Sequence, residues 1–253
     1  MDKKQSVPII AANWKMYKTL SETEQFITQI KPLIAKAKAR VLVAVPFTSL
    51  KTAVDLAKDT NLIIGAQNMN DASEGAFTGE IAAKMLTDVG AKFVLIGHSE
   101  RRQYFNESNA FINRKVKRAL ESNLQPLLCI GETLKERESG EMEDVLATQL
   151  SESLQDVETS SLKNVIIAYE PVWAIGTGIS ATADMAQQAH HFCREYLAQH
   201  WGAEVAGTMP LLYGGSVKPN TAAELLGQSD INGLLVGGAS LDATSFAAIV
   251  NAG

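Results

Sequence analysis

The chain has 253 residues, 46% of them hydrophobic and 20% charged, with a formal net charge of −5. That length buries a large core, and a chain of about 250 residues is either two ordinary domains or one α/β barrel. A mildly acidic chain has no global attraction for nucleic acid or an anionic membrane, so an anionic ligand must be held by a local cluster of donors.

In chain order, the opening MDKKQSVPII is a polar lead-in to a strand, without the apolar run of a signal peptide. Strands are predicted at Val7–Ala12, Val41–Val45, Leu62–Ala66, Phe93–Ile96, Pro126–Ile130, Asn164–Tyr169, Met209–Tyr213 and Gly233–Val236. VLVAV, FVLI and VIIAY are apolar on both faces, as parallel strands covered by helices must be. Helical spacing falls between them at Glu22–Ile34, Ala110–Leu120, Asp184–His200 and Asp242–Val250. The more polar Glu132–Leu154 reads as a solvated outer helix. Eight such units, with no linker and no GxGxxG after a strand, favour a closed (β/α)8 TIM barrel over an open doubly wound sheet. One catalytic domain, residues 1–253, is expected. No stretch approaches the roughly 20 apolar residues of a membrane span, and Cys129 and Cys193 match no disulfide or metal spacing. The expected setting is cytoplasmic.

Active sites in such barrels gather at the C-terminal strand ends. There the sequence places Asn13-Trp14-Lys15, Gly97-His98-Ser99-Glu100-Arg101-Arg102, Glu170-Pro171, Gly214-Gly215-Ser216 and Gly237-Gly238. Paired glycines after the last two strands are either plain tight turns or a phosphate cradle, in which bare backbone N–H groups approach an anion. Lys15 is either a solvated charge or an anion-binding group. His98 opens a polar loop after an apolar strand. Glu170 ends a buried strand, where a carboxylate is expensive unless it is paired or functional. A Glu base facing a His electrophile suits proton transfer beside a carbonyl. The apolar loop Pro171-Val172-Trp173-Ala174-Ile175-Gly176-Thr177-Gly178 has stiff ends and suits a water-excluding lid. No histidines have metal-ligand spacing, so neither metal nor cofactor is expected. Cys129 reads as a packing thiol beside the site.

Asn-Trp-Lys, Gly-His-Ser-Glu-Arg-Arg, Cys-Ile-Gly-Glu, Tyr-Glu-Pro-Val-Trp-Ala-Ile-Gly-Thr-Gly and Tyr-Gly-Gly-Ser-Val together resemble the triosephosphate isomerase family, from Ala11 to Leu241. The resemblance implies interconversion of dihydroxyacetone phosphate and D-glyceraldehyde 3-phosphate, in glycolysis and gluconeogenesis. By the same resemblance Glu170 is the base, His98 the electrophile, and Lys15 and Asn13 stabilise the enediolate and bind the phosphate side. Gly176, Ser216, Gly237 and Gly238 supply phosphate contacts, and Ser99, Glu100 and Cys129 stand behind them. The long loop Gln67–Gly79 would dock into a twin subunit, putting Phe77 and Thr78 at a homodimer interface with Arg101 and Arg102 in salt bridges nearby.

Two departures fall outside these roles: Tyr17 where Asn is frequent, and Ile179-Ser180-Ala181 where Lys-Thr-Ala is frequent. A barrel reduced to phosphate binding would have lost Glu170, His98 or Lys15. An aldolase would carry a Schiff-base lysine on a late strand, where this chain has Glu170.

Overall fold

The computed structural model describes residues 7–175 and 181–253. Among them, eight parallel strands follow one another around a closed barrel: β1 (Ile9–Asn13), β2 (Arg40–Val45), β3 (Leu62–Ala66), β4 (Phe93–Ile96), β5 (Gln125–Ile130), β6 (Ile166–Tyr169), β7 (Leu211–Tyr213) and β8 (Gly233–Val236). Closure is made by β8 against β1, with Ile9 opposite Gly233 and Ala12 opposite Val236.

Alternation along each strand divides the core in two. Ile9, Ala11, Leu42, Ala44, Phe93, Leu95, Leu127, Cys129, Ile166, Ala168, Leu212 and Leu235 pack together inside the barrel. Their neighbours, such as Ile10, Val41, Val43, Val94, Leu128 and Ile167, pack outward in the second cluster, which includes the inner faces of the helices. Both faces of every strand are therefore apolar, which is why the runs lack polar alternation. At Gly65 the room a side chain would take is filled by the Phe93 ring.

The helices show the complementary period. Leu20–Ile34 buries Thr23, Phe26, Ile27, Ile30 and Ile34, at the three-and-four spacing that puts side chains on one face. It starts with a capping box: the Thr19 hydroxyl accepts the Glu22 N–H, and the Glu22 carboxylate accepts the Thr19 N–H at 2.7 Å. Among the described residues, no helix is long and apolar enough to cross a membrane.

Differences from the sequence reading have local causes. Pro8 and Pro210 lack an N–H, and β1 and β7 begin just after them. Asn164 and Val165 donate to Ser161 and Leu162 in a turn, so β6 begins at Ile166. The segment Glu132–Leu154 is not one solvated helix. It forms Leu134–Glu138 and Met142–Ser153, separated at Gly140, whose φ of +79° breaks the spiral. The second of these buries Leu146, Leu150 and Ser153 against the barrel. Glu132 lies before either helix and is completely buried.

Candidate active site

The C-terminal strand ends surround a cavity of about 420 Å³. Asn13, Lys15, His98, Glu170, Ile175, Gly214–Lys218, Leu235 and Gly237–Ala239 all line it. Residues from β1, β4, β6, β7 and β8, scattered over the whole sequence, thus converge on one space.

β1 ends in Asn13, whose side-chain oxygen accepts the Lys15 N–H at 2.9 Å. This bond closes a tight turn in which Lys15 takes a φ of +52°, unusual for a residue with a side chain. The turn aims the Lys15 ammonium across the cavity mouth, 2.6 Å from the Glu100 carboxylate. Gln67, at the base of the loop after β3, braces the turn by donating to the carbonyls of Lys15 and Ala44 at 2.9 and 3.1 Å.

After β4, Gly97 turns the chain at a φ of +72°, and His98 caps the short helix Ser99–Tyr104. His98 Nδ1 accepts the Glu100 N–H at 3.2 Å, which leaves Nε2 as the nitrogen bearing hydrogen. Nε2 lies 3.0 Å from Glu170 Oε1, and Glu170 Oε2 accepts the Ser99 N–H at 3.1 Å. Both side chains are buried. Burial alone would raise the Glu170 pKa, but His98 and the Ser99 N–H outweigh it and hold the carboxyl below its usual range. For His98, burial pulls the pKa down while the facing Glu170 carboxylate pulls it up and prevails. Burial, with Glu170 nearby, pushes the Cys129 thiol well above its ordinary value, so it stays an uncharged wall of the barrel interior.

Glu170 is set by backbone as much as by charge. Its N–H donates to Ile130 at 2.7 Å, and Gly131 passes so close that a Cβ there would overlap the Glu170 carbonyl. A Cβ on Gly214 would press on Glu170 Cγ, and one on Gly215 would overlap the Tyr213 hydroxyl. This first glycine pair therefore serves close packing around Glu170 and Tyr213, in addition to opening the cavity wall. Gly237 and Gly238 differ: the space beside Gly238 is open, and a Cβ on Gly237 would only touch Lys15 Cε at 3.5 Å. Ser216 also faces the cavity.

The segment after Glu170 turns through Val172–Ala174, with Trp173 and Ala174 buried and Ile175 on the cavity wall. Gly176, Thr177, Gly178, Ile179 and Ser180 lie outside the described residues. Glu132 is the residue sequence reasoning missed: its Oε1 accepts the Tyr169 hydroxyl at 3.0 Å and the Trp173 indole N–H at 2.9 Å. Burial raises its pKa against those hydrogen bonds. The signal was available, because Glu132 follows the apolar run of β5 just as Glu170 follows that of β6.

Arg101 pairs with the buried Glu107 at 2.6 Å. Arg102 was expected in a salt bridge, but it donates to the carbonyls of Gly97 and Cys129 at 2.7 and 3.0 Å, tying the β4 and β5 ends together. Phe77 and Thr78 are exposed on the described chain. Among the described residues, no group of three or more His, Cys, Asp or Glu is arranged to hold a metal ion.

A closed barrel that points a buried carboxylate at an imidazole, beside a lysine and two glycine-rich strand ends, has the parts that proton transfer on an anionic substrate requires. The family profile described as triosephosphate isomerase matches residues 8–253. A triosephosphate isomerase of Protochlamydia amoebophila is 52% identical over 245 residues, covering 97% of this chain and 93% of the relative. Those of Moorella thermoacetica and Fusobacterium nucleatum are 49% and 50% identical, each covering 98% of the relative and 96% and 97% of this chain. The chain belongs to the triosephosphate isomerase family.

Proposed function

We propose that this chain interconverts dihydroxyacetone phosphate and D-glyceraldehyde 3-phosphate in glycolysis and gluconeogenesis, as a single catalytic domain of residues 1–253 in the cytoplasm. The observation that carries the reading is the buried Glu170 carboxylate, 3.0 Å from His98 Nε2 at the floor of a cavity rimmed by Lys15 and the β7 and β8 glycines.

The contacts support a division of labour. Glu170 and His98 hold each other. A substrate carbonyl oxygen entering between them takes over the Nε2 hydrogen and frees the carboxylate toward the carbon-bound proton. Burial opposes the charged carboxylate, and its two stabilising donors are lost on that movement, so Glu170 becomes a stronger base when it is needed. The upward pull on His98 leaves with it, and an imidazole that accepts a helix N–H at Nδ1 then works as a neutral donor. Glu170 takes a proton from one carbon and returns it to the next, while His98 moves the oxygen-bound proton. Lys15 and Asn13 stabilise the enediolate oxygen, and Lys15 together with Gly176, Ser216, Gly237 and Gly238 orients the phosphate. Ser99 and Glu100 hold Glu170 and Lys15 ready, and Cys129 supports the floor. Pro171–Gly178 acts as the lid, excluding water that would let the enediolate shed its phosphate.

Two copies are the proposed assembly. Met16, Tyr17, Phe77, Tyr104 and Phe105 are large apolar groups left exposed on one chain, as groups that a twin would cover. The loop Gln67–Gly79 is the docking element, with Phe77 and Thr78 in contact with the twin.

The activity test is a coupled assay on glyceraldehyde 3-phosphate after prolonged dialysis against EDTA. Turnover without added metal is expected. Absence of turnover, or turnover restored only by zinc or magnesium, contradicts the reading.

A further inference from the structure

Lys18 stands outside every role assigned so far, yet its surroundings are specific. Its φ of +76° lies in the left-handed region, where a residue with a Cβ is strained and glycine is favoured. What holds it there is the side chain. The Lys18 ammonium donates to the Leu241 carbonyl at 2.8 Å and lies 5.2 Å from the Trp14 ring centre and 4.9 Å from that of Phe26. Those rings meet edge to face at 5.0 Å, so the ammonium rests on a fixed aromatic floor.

Leu241 is the far end of the turn that carries Gly237 and Gly238. Its N–H donates to the Gly238 carbonyl at 3.1 Å, and the Ser240 N–H and hydroxyl both donate to the Gly237 carbonyl, at 2.8 and 2.7 Å. At the near end of the same turn Gly237 and Gly238 line the cavity together with Lys15, and a side chain on Gly237 would reach Lys15 Cε at 3.5 Å. The β1 loop and the β8 turn therefore face one cavity through Lys15 and the glycines, and are tied together behind it through Lys18. The outer contact is a charge-assisted hydrogen bond on half-buried ground.

We propose that Lys18 is a positioning residue for the phosphate end of the site: it locks the β1 loop to the β8 turn so that Lys15 and the Gly237–Gly238 backbone grip one anion together. The inference rests on the isomerase reading above. It separates Lys18 from Lys15, since Lys18 touches no substrate and acts only through the spacing of two loops.

The test compares the whole enzyme with its Lys18→Met, Lys18→Arg and Lys18→Gly variants by calorimetric titration with inorganic phosphate and by steady-state kinetics. Lys18→Met keeps most of the stem and loses the charged donor. It should raise both KM and the phosphate Kd by about five- to tenfold while kcat stays within about twofold. Lys18→Arg restores a charged donor over the rings and should recover most of the affinity. Lys18→Gly removes the backbone strain and the tie together, so it should bind phosphate as weakly as Lys18→Met without a matching loss of Tm. Unchanged KM and phosphate Kd in the Met and Gly variants, whatever happens to Tm, would reduce Lys18 to a scaffold residue and overturn the proposal. A wild-type enzyme that neither turns over triose phosphate nor binds phosphate would instead remove the reading on which it rests.

Discussion

Glu170→Asp keeps the charge and withdraws it by one methylene from the cavity that His98 shares. Misplacement by about 1 Å costs on the order of a hundredfold in rate. The proposed phosphate contacts are untouched, so kcat should fall by that order while KM changes far less, as for an interaction made mainly in the transition state. Steady-state kinetics in both directions decide it, and near-normal kcat would move the base elsewhere. A second residue sets a pH dependence. His190 is completely buried, 5.5 Å edge-on from the Tyr169 ring, with Nδ1 2.7 Å from the Ala186 carbonyl. Burial lowers its pKa to about 4. The unfolded chain, with a histidine pKa near 6.5, therefore binds a proton that the folded chain refuses. Stability from this group is full above about pH 6.5 and is lost as pH falls toward about 4, by about 3 kcal/mol in all. The urea midpoint should drop between pH 7 and 4.5, and His190→Asn should flatten that drop. Equal slopes for both proteins would assign the acid loss to other groups.

At the scale of elements, close approach of backbone decides which glycines matter. Gly131→Ala would drive a methyl into the Glu170 carbonyl where β5 meets β6, against backbone atoms rather than a flexible side chain. It should lower Tm and kcat together. Gly140→Ala sits in open space, so only its φ of +79° counts, and the cost should be about 1 kcal/mol with kcat unchanged. Thermal melts and kinetics on the pair separate the two mechanisms, and a Gly131→Ala enzyme with normal turnover would refute the first. The same contrast explains what could be read from the sequence. β3, β4 and β8 were legible to the residue because apolar runs flanked by polar ends leave little freedom. Asn13, Lys15, His98 and Glu170 were legible because polar groups at buried strand ends need a reason. Glu132 escaped because charges four apart suggested a helix face, and that spacing outweighed its place at a strand end. The Lys18–Leu241 and Gln67–Lys15 contacts carry no local pattern, since each joins loops from different strands.

For the whole molecule, the loop Gln67–Gly79 is the element whose removal should change assembly and chemistry together. Gln67 holds the Lys15 turn from within the chain, so it should be kept while the rest is cut to a tight turn. On the proposed assembly the expected product is a monomer with kcat lowered by about a hundredfold or more, because a twin's loop would no longer brace the Asn13–Lys15 turn. Light scattering and kinetics on one preparation check it, and full activity in a proven monomer would contradict it. The closed ring of strands also has a bearing on how the chain is born. β1 leaves the ribosome before the other seven strands and β8 after them, yet Ile9 must lie beside Gly233. At about 5–20 residues per second, the outer edge of β1 waits on the order of ten seconds or more for its second neighbour. Through that interval IIAAN is an apolar strand with one row of amide and carbonyl groups unmatched, open to a neighbouring nascent chain. Translation speed across the second half of the message therefore bears on how long this edge stays open to other chains.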